Sequence, residues 1–130
     1  MKISLFDRSR IPLLEKALDA YALKNKVIAS NIANIETPNY RRVDVAFEKE
    51  LNQAIEQSKS DVNLSENVKG VEPQIEIDKS KALASGANNV DIDEEMAELA
   101  KNQLRFQMAA RLMSQTFQLI DKSITGGGTQ

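Results

Sequence analysis

Apolar residues recur at helical spacing at both ends of this 130-residue chain and lose that rhythm between them. The row Ile11, Leu14, Leu18, Tyr21, Asn25, Ile28, Ile32 and Ile35 advances in alternating steps of three and four, the seam of an amphipathic helix with one polar member. It predicts a helix over residues 9–35, with Ser9 as cap and Pro12 in the first turn, where a missing N–H is tolerated. Asn25 has two readings: a register-fixing amide on a packed seam, or a solvated gap in the stripe. The same steps return in Met96, Leu99, Gln103, Phe106, Ala110, Met113, Phe117, Ile120 and Ile124, which predict a second helix over residues 91–125. Asp91 is its expected cap, with Glu94 completing a capping box, and Asp93, Glu94 and Glu95 put negative charge at the positive end of the helix dipole. Gly126, Gly127 and Gly128 are the expected stop.

A second row on that helix, Ala97, Ala100, Leu104, Met108, Leu112 and Leu119, widens its apolar face. An antiparallel hairpin of the two helices covers only one seam, so the rest of this Leu, Met and Phe surface needs other subunits. The middle is different material. Val43, Val45 and Phe47 alternate with polar residues, residues 47–55 suit a short helical piece, and residues 57–70 read as a polar linker. Val71, Ile75 and Ile77 around Pro73 suggest a short edge strand, and residues 79–89 return to loop. The expected fold is mainly all-α: two long terminal helices in a coiled-coil hairpin, with an irregular middle holding at most short β segments. It forms one domain, divided as residues 1–40, 41–89 and 90–130.

Composition removes most chemistry. Hydrophobic residues make up 42% of the chain but aromatics only 5%, with no Trp, so burial rests on Leu, Ile, Ala and Met. Cysteine and histidine are both absent, which excludes disulfides and thiolate or imidazole metal ligands and removes the usual acid–base residue. The acidic run Asp91, Asp93, Glu94, Glu95 and Glu98 lacks calcium-loop spacing and reads as a dipole-matched helix start. With a net charge of −2 and only Arg41-Arg42 beside Tyr40, no nucleic-acid footprint is expected. Neither an enzyme nor a cofactor or metal site is expected. No run approaches the roughly 20 apolar residues of a membrane span, and the start has too short an apolar run for a cleaved signal. Such a chain is cytoplasmic or exported without a cleaved signal.

The most informative stretch is Ser30-Asn31-Ile32-Ala33-Asn34-Ile35-Glu36-Thr37-Pro38-Asn39-Tyr40. Pro38 ends the helix and pushes Thr37 out of helical geometry, while two asparagines sit three apart just before the stop. Either this is a frayed last turn followed by an Asn-containing turn, or both amides are aimed at a partner and are dispensable to the monomer. Ser30, Asn31, Ile32, Ala33 and Asn34 followed by Thr37, Pro38 and Tyr40 resemble the signature of bacterial flagellar rod, hook and hook-associated proteins. Arg42-Val43-Asp44-Val45-Ala46-Phe47, Asn88-Asn89-Val90-Asp91-Ile92-Asp93-Glu94-Glu95-Met96 and Lys101-Asn102-Gln103-Leu104-Arg105-Phe106-Gln107 extend that resemblance to proximal rod subunits. Ile35-Glu36 departs slightly, standing where many relatives carry Ala and a small or acidic residue.

The resemblance implies a structural subunit, exported unfolded by the flagellar type III apparatus and assembled in the periplasm as part of the basal-body rod. Its implied partners are other rod subunits, the rod–MS-ring junction protein, the export apparatus and copies of itself, with no nucleic acid and no direct membrane span. Ser30 to Tyr40 would then be an assembly motif, and the two terminal stripes would pair as coiled coils. Phe47 and Leu51 resemble the Phe-x-x-x-apolar element that export substrates present to the export gate; they equally fit a core pair at helical spacing. The alternative from another class is a soluble helical adaptor or chaperone-like module using the C-terminal stripe as a groove ligand.

Overall fold

A computed structural model describes residues 3–58, 64–84 and 86–126. Helix α1 spans Ile3–Ala33 and helix α4 spans Ile92–Thr125, about 46 and 51 Å long at 1.5 Å per residue. Between them lie strand β1 (Val43–Ala46), helix α2 (Glu48–Ser58), helix α3 (Leu64–Lys69) and strand β2 (Gln74–Ile77). The mainly helical hairpin is as the sequence predicts. Three local expectations differ.

Helix α1 begins at Ile3 rather than at Ser9, which places Pro12 inside it. A proline removes one helical hydrogen bond and crowds the carbonyl four residues back; that is a local cost, and a long helix with a packed face runs through it. The helix ends at Ala33, two residues before Ile35, as the chain tightens into i→i+3 turns: the Ile35 amide donates to the Ile32 carbonyl at 3.3 Å and the Thr37 amide to the Asn34 carbonyl at 3.0 Å. Asn39 then takes φ 61°, a left-handed conformation asparagine accepts more readily than other side-chain-bearing residues. Third, the stretch expected as linker contains α3. Val68 on this helix is fully buried, and Val71 just beyond its end is buried as well.

Helix α1 is the central element. One face packs on α4, and another packs on α3 and β1. Ala17, Ala20 and Val27 form a core with Val45, Phe47, Ala54 and Val71, flanked by Tyr21, Leu23, Val43 and Leu51. The two alanines let the small β unit approach closely, and Phe47 supplies the volume. Strands β1 and β2 pair antiparallel with Val43 opposite Ile77 and Val45 opposite Ile75, so the alternation of Val43, Val45 and Phe47 does mark the inward face. Asp91 caps α4, its Oδ1 accepting from the Asp93 amide at 2.9 Å. At the other end the Gly126 amide closes the last turn onto the Lys122 carbonyl.

The α1–α4 seam is not the one apolar spacing selects. The buried residues of α4 are Glu95, Asn102, Ala109 and Thr116, seven apart and polar or small. Four residues after each of them sit Leu99, Phe106, Met113 and Ile120, all half-buried. Of the remaining expected packing residues on α4, Met96, Phe117 and Ile124 are 52%, 54% and 74% exposed, because they lie one position round the helix from the seam. On α1, Ile28 is buried and Ile11, Leu14, Leu18, Tyr21 and Ile32 are half-buried, while Ile35 lies beyond the helix end.

A buried amide clamp as candidate functional site

Asn31 sits on the last full turn of α1, with no exposed surface. Its Nδ2 donates to the Val43 carbonyl at 2.8 Å and to Glu95 Oε2 at 3.0 Å. Its Oδ1 accepts from the Val43 amide at 3.0 Å and from the Tyr40 hydroxyl at 3.0 Å. An Asn amide offers two donors and two acceptor sites, and all four are used. Toward Val43 it presents the donor–acceptor pair that a neighbouring strand would, so the free edge of β1 is closed by a helix side chain.

Glu95 is the second member and is also fully buried. Its Oε2 holds Asn31 and its Oε1 accepts from Arg42 Nε. Burial alone would lower the Arg42 guanidinium pKa; the hydrogen bond and negative charge of Glu95 outweigh it and hold the pKa raised. A buried pair of this kind is stable because each partner is satisfied, and removing one leaves an uncompensated charge. Asp44 and Asp78 lie further out, 3.5 and 3.9 Å from Arg42 Nη1.

Two further asparagines complete the clamp from the loop before α4. Asn88 Nδ2 donates to the carbonyls of Asn34, Ile35 and Thr37 at 2.9, 3.1 and 2.9 Å, which caps the helix end that Pro38 leaves open. Asn89 Oδ1 accepts from the Arg42 amide at 2.7 Å, and its Nδ2 reaches the Asp78 carbonyl and Ser80 Oγ. The end of α1, the turn to β1, the loop after β2 and the start of α4 therefore meet at one polar centre. Lower on the hairpin, Asn102 Nδ2 donates to Asn25 Oδ1 at 2.7 Å and to the Tyr21 carbonyl at 2.8 Å. Asn25 is thus a paired seam residue rather than a solvated gap.

The expectation that both motif amides point outward is corrected by this geometry. Asn31 is the hub of the monomer, and Asn34 makes a local bond, its Nδ2 donating to the Ser30 carbonyl at 2.8 Å. The Thr37 hydroxyl donates to Asn34 Oδ1 at 3.2 Å, Ser30 Oγ lies 3.4 Å from the Tyr40 hydroxyl, and Pro38 is exposed. Phe47 is buried in the core, with Leu51 half-buried beside it. Sequence reasoning missed Glu95 because it was one acid in a run at a helix start. It missed Asn102 because apolar spacing ignores polar seam residues. The heptad Glu95, Asn102, Ala109, Thr116 was the available signal.

The buried polar groups of this centre are paired with one another. Among the described residues no cluster of His, Cys, Asp or Glu is fit to hold a metal, and no helix is long and apolar enough to cross a membrane. Three acids of the helix start are engaged: Asp91 caps, Glu95 faces Arg42, and Glu98 pairs with Lys24 and Lys101.

The helical hairpin and its clamp coincide with the segments shared with known proteins. A family model described as "Flagella basal body rod protein" matches residues 14–41, and one described as "Flagellar basal body rod FlgEFG protein C-terminal" matches residues 84–125. These matches define the class, the flagellar basal-body rod proteins. The flagellar basal body rod protein FlgB of Bacillus subtilis is 38% identical over 131 residues, covering 96% of this chain and 99% of that protein. FlgB of Borreliella burgdorferi is 33% identical, covering 89% and 95%, and FlgB of Escherichia coli is 27% identical, covering 77% and 81%. The chain belongs to the FlgB family of flagellar basal-body rod proteins. It is a structural rod subunit of the flagellar basal body, associated there with other rod components.

Proposed function

We propose that the chain is a proximal rod subunit, exported unfolded without a cleaved signal by the flagellar type III apparatus and assembled through its terminal helices. The observation that carries this reading is the outer face of α4. Leu104, Met108, Leu112 and Leu119 are 50–65% exposed along one side of the helix, and Phe117 and Ile124 are exposed on the other flank of the α1–α4 seam. A contiguous apolar row of this kind on a small protein is an association surface. Its partners are other rod subunits, the rod–MS-ring junction protein and copies of the same chain. The motif from Ser30 to Tyr40 serves assembly indirectly, by fixing how α1 and α4 are presented. Phe47 and Leu51 serve the export gate only in the unfolded chain, since folding draws both into the core.

Fractionation tests the reading. A rod subunit copurifies with basal bodies from flagellated cells; a chain recovered wholly in the soluble fraction would favour the adaptor.

A further inference from the structure

The two-stranded sheet is closed along one side and open along the other. The Asp78 amide donates to the Arg42 carbonyl at 2.8 Å, and Val43 stands opposite Ile77. Antiparallel ladders alternate, so Asp44 and Glu76, and Ala46 and Gln74, turn their backbone groups toward each other, while Val43, Val45, Ile75 and Ile77 turn theirs outward. On β1 that outer side is filled: Asn31 takes the Val43 amide and carbonyl, and the Asp44 carboxylate accepts from the Val45 amide at 2.7 Å. On β2 it is not. Among the described residues, no group bonds to the amides or carbonyls of Ile75 and Ile77.

The side chains show the same asymmetry. Residues directly opposite share a face, so Ile75 and Ile77 lie on the core side with Val45 and Val43. Helix α1 packs on β1 and Val45 is buried, yet Ile75 and Ile77 are 58% and 61% exposed. Glu76, between them on the other face, is also exposed. Its neighbours are engaged, Glu72 with Lys16 and Asp78 with Arg42, whereas Glu76 is in no ion pair among the described residues.

We propose that β2 takes up a third strand, an extended segment of a different polypeptide of the basal body that carries a Lys or Arg between two apolar residues. Its backbone meets the outward groups of Ile75 and Ile77, its apolar residues extend the core face beyond them, and its base lies beside Glu76. Charge and register argue against a second copy of this chain. Antiparallel pairing of two β2 strands through Ile75 and Ile77 sets Glu76 against Glu76; sliding one way sets it against Asp78, and sliding the other way brings Ile77 to Pro73, which has no amide to give. The proposal rests on the rod-subunit reading and adds to it a binding edge and the kind of segment it takes.

The outward amide of Ile77 makes no ladder bond, and proline is tolerated where an edge amide faces solvent. Ile77→Pro is therefore expected to melt close to the parent protein and to fall at least tenfold in isolated basal bodies, while Ile77→Ala, which keeps the amide, falls less. Parent-like incorporation of Ile77→Pro, or equal losses for the two variants, overturns the strand pairing. Glu76→Lys changes one exposed side chain outside the core; it is expected to lower incorporation at least fivefold, and unchanged incorporation overturns the charge match. The occupant is read by placing the photo-crosslinker benzoylphenylalanine at Gln74, exposed at the start of β2, and irradiating isolated basal bodies. The expected product joins the chain to another basal-body protein at a segment with a base between two apolar residues. A product with a second copy of this chain, with a segment lacking that pattern, or no product from basal bodies that contain the variant overturns the proposal. Absence of the wild-type chain from basal bodies would instead overturn the rod reading itself.

Discussion

Replacing Asn31 with Ala is expected to unfold a large share of this monomer, and the size of the loss follows from its bonds. The amide makes four hydrogen bonds from a fully buried position. Truncation strands the Val43 amide, the Val43 carbonyl and one oxygen of Glu95; the Tyr40 hydroxyl is half-exposed and recovers a water. An unsatisfied buried polar group costs roughly 1–3 kcal/mol, and water entering the vacated space offsets part of it. Summed with that relief the loss is about 3–5 kcal/mol, against a total stability of about 5–15 kcal/mol for a small domain. Asn34→Ala loses one bond in a solvent-facing turn and is expected to cost about 1 kcal/mol or less. Urea denaturation of the two single variants followed by circular dichroism measures the contrast. Equal losses, or a loss under about 1 kcal/mol for Asn31→Ala, would show that the clamp does not hold the hairpin and would refute the reasoning.

Three further outcomes follow from the same contacts. Asn25→Leu with Asn102→Leu is expected to raise the melting temperature, because it removes a buried amide pair whose Asn102 Oδ1 has no partner, while loosening helix register; fewer disperse amide signals in NMR would report the loosening. Phe106→Asp places a carboxylate on the half-buried α1–α4 seam and is expected to lower melting and incorporation together, seen by calorimetry and by immunoblot of basal bodies. Hydrogen bonding from Lys101, with Lys24 nearby, holds the Glu98 carboxyl below the ordinary glutamate pKa, burial opposing. Its contribution is therefore complete above the unfolded value of about 4.3 and is lost as pH falls through the depressed folded value. Glu98→Gln is expected to flatten that acid limb of stability; an unchanged limb would contradict it.

How much of this was legible in the sequence depends on what each residue was read for. The two long helices, the Asp91 cap and the short strands declared themselves, because periodicity and capping are local rules that the fold leaves intact. The seam did not. Apolar spacing selected Met96, Phe117 and Ile124, whereas the monomer buries Glu95, Asn102 and Thr116, whose burial is favourable only with partners more than 50 residues away or, for Thr116, the Leu112 carbonyl one turn back. Those long-range partners, Asn31, Arg42 and Asn25, carry no local signal of pairing. The same blindness hid the role of Asn31: an amide near a helix end is ordinarily solvated, and only the return of Val43 to within 3.0 Å makes it a strand surrogate. Helix α3 escaped because its six residues, Leu64–Lys69, are too few to show a period.

The central claim is that the polar clamp holds the hairpin while the outer face of α4 belongs to neighbours. Leu112→Asp tests it most directly, since Leu112 is half exposed and its side chain is not needed in the monomer core. The paired measurement is thermal melting of the purified variant and its abundance in isolated basal bodies. The account predicts melting close to that of the parent protein and a loss of incorporation of at least tenfold. Parent-like abundance in basal bodies would contradict it.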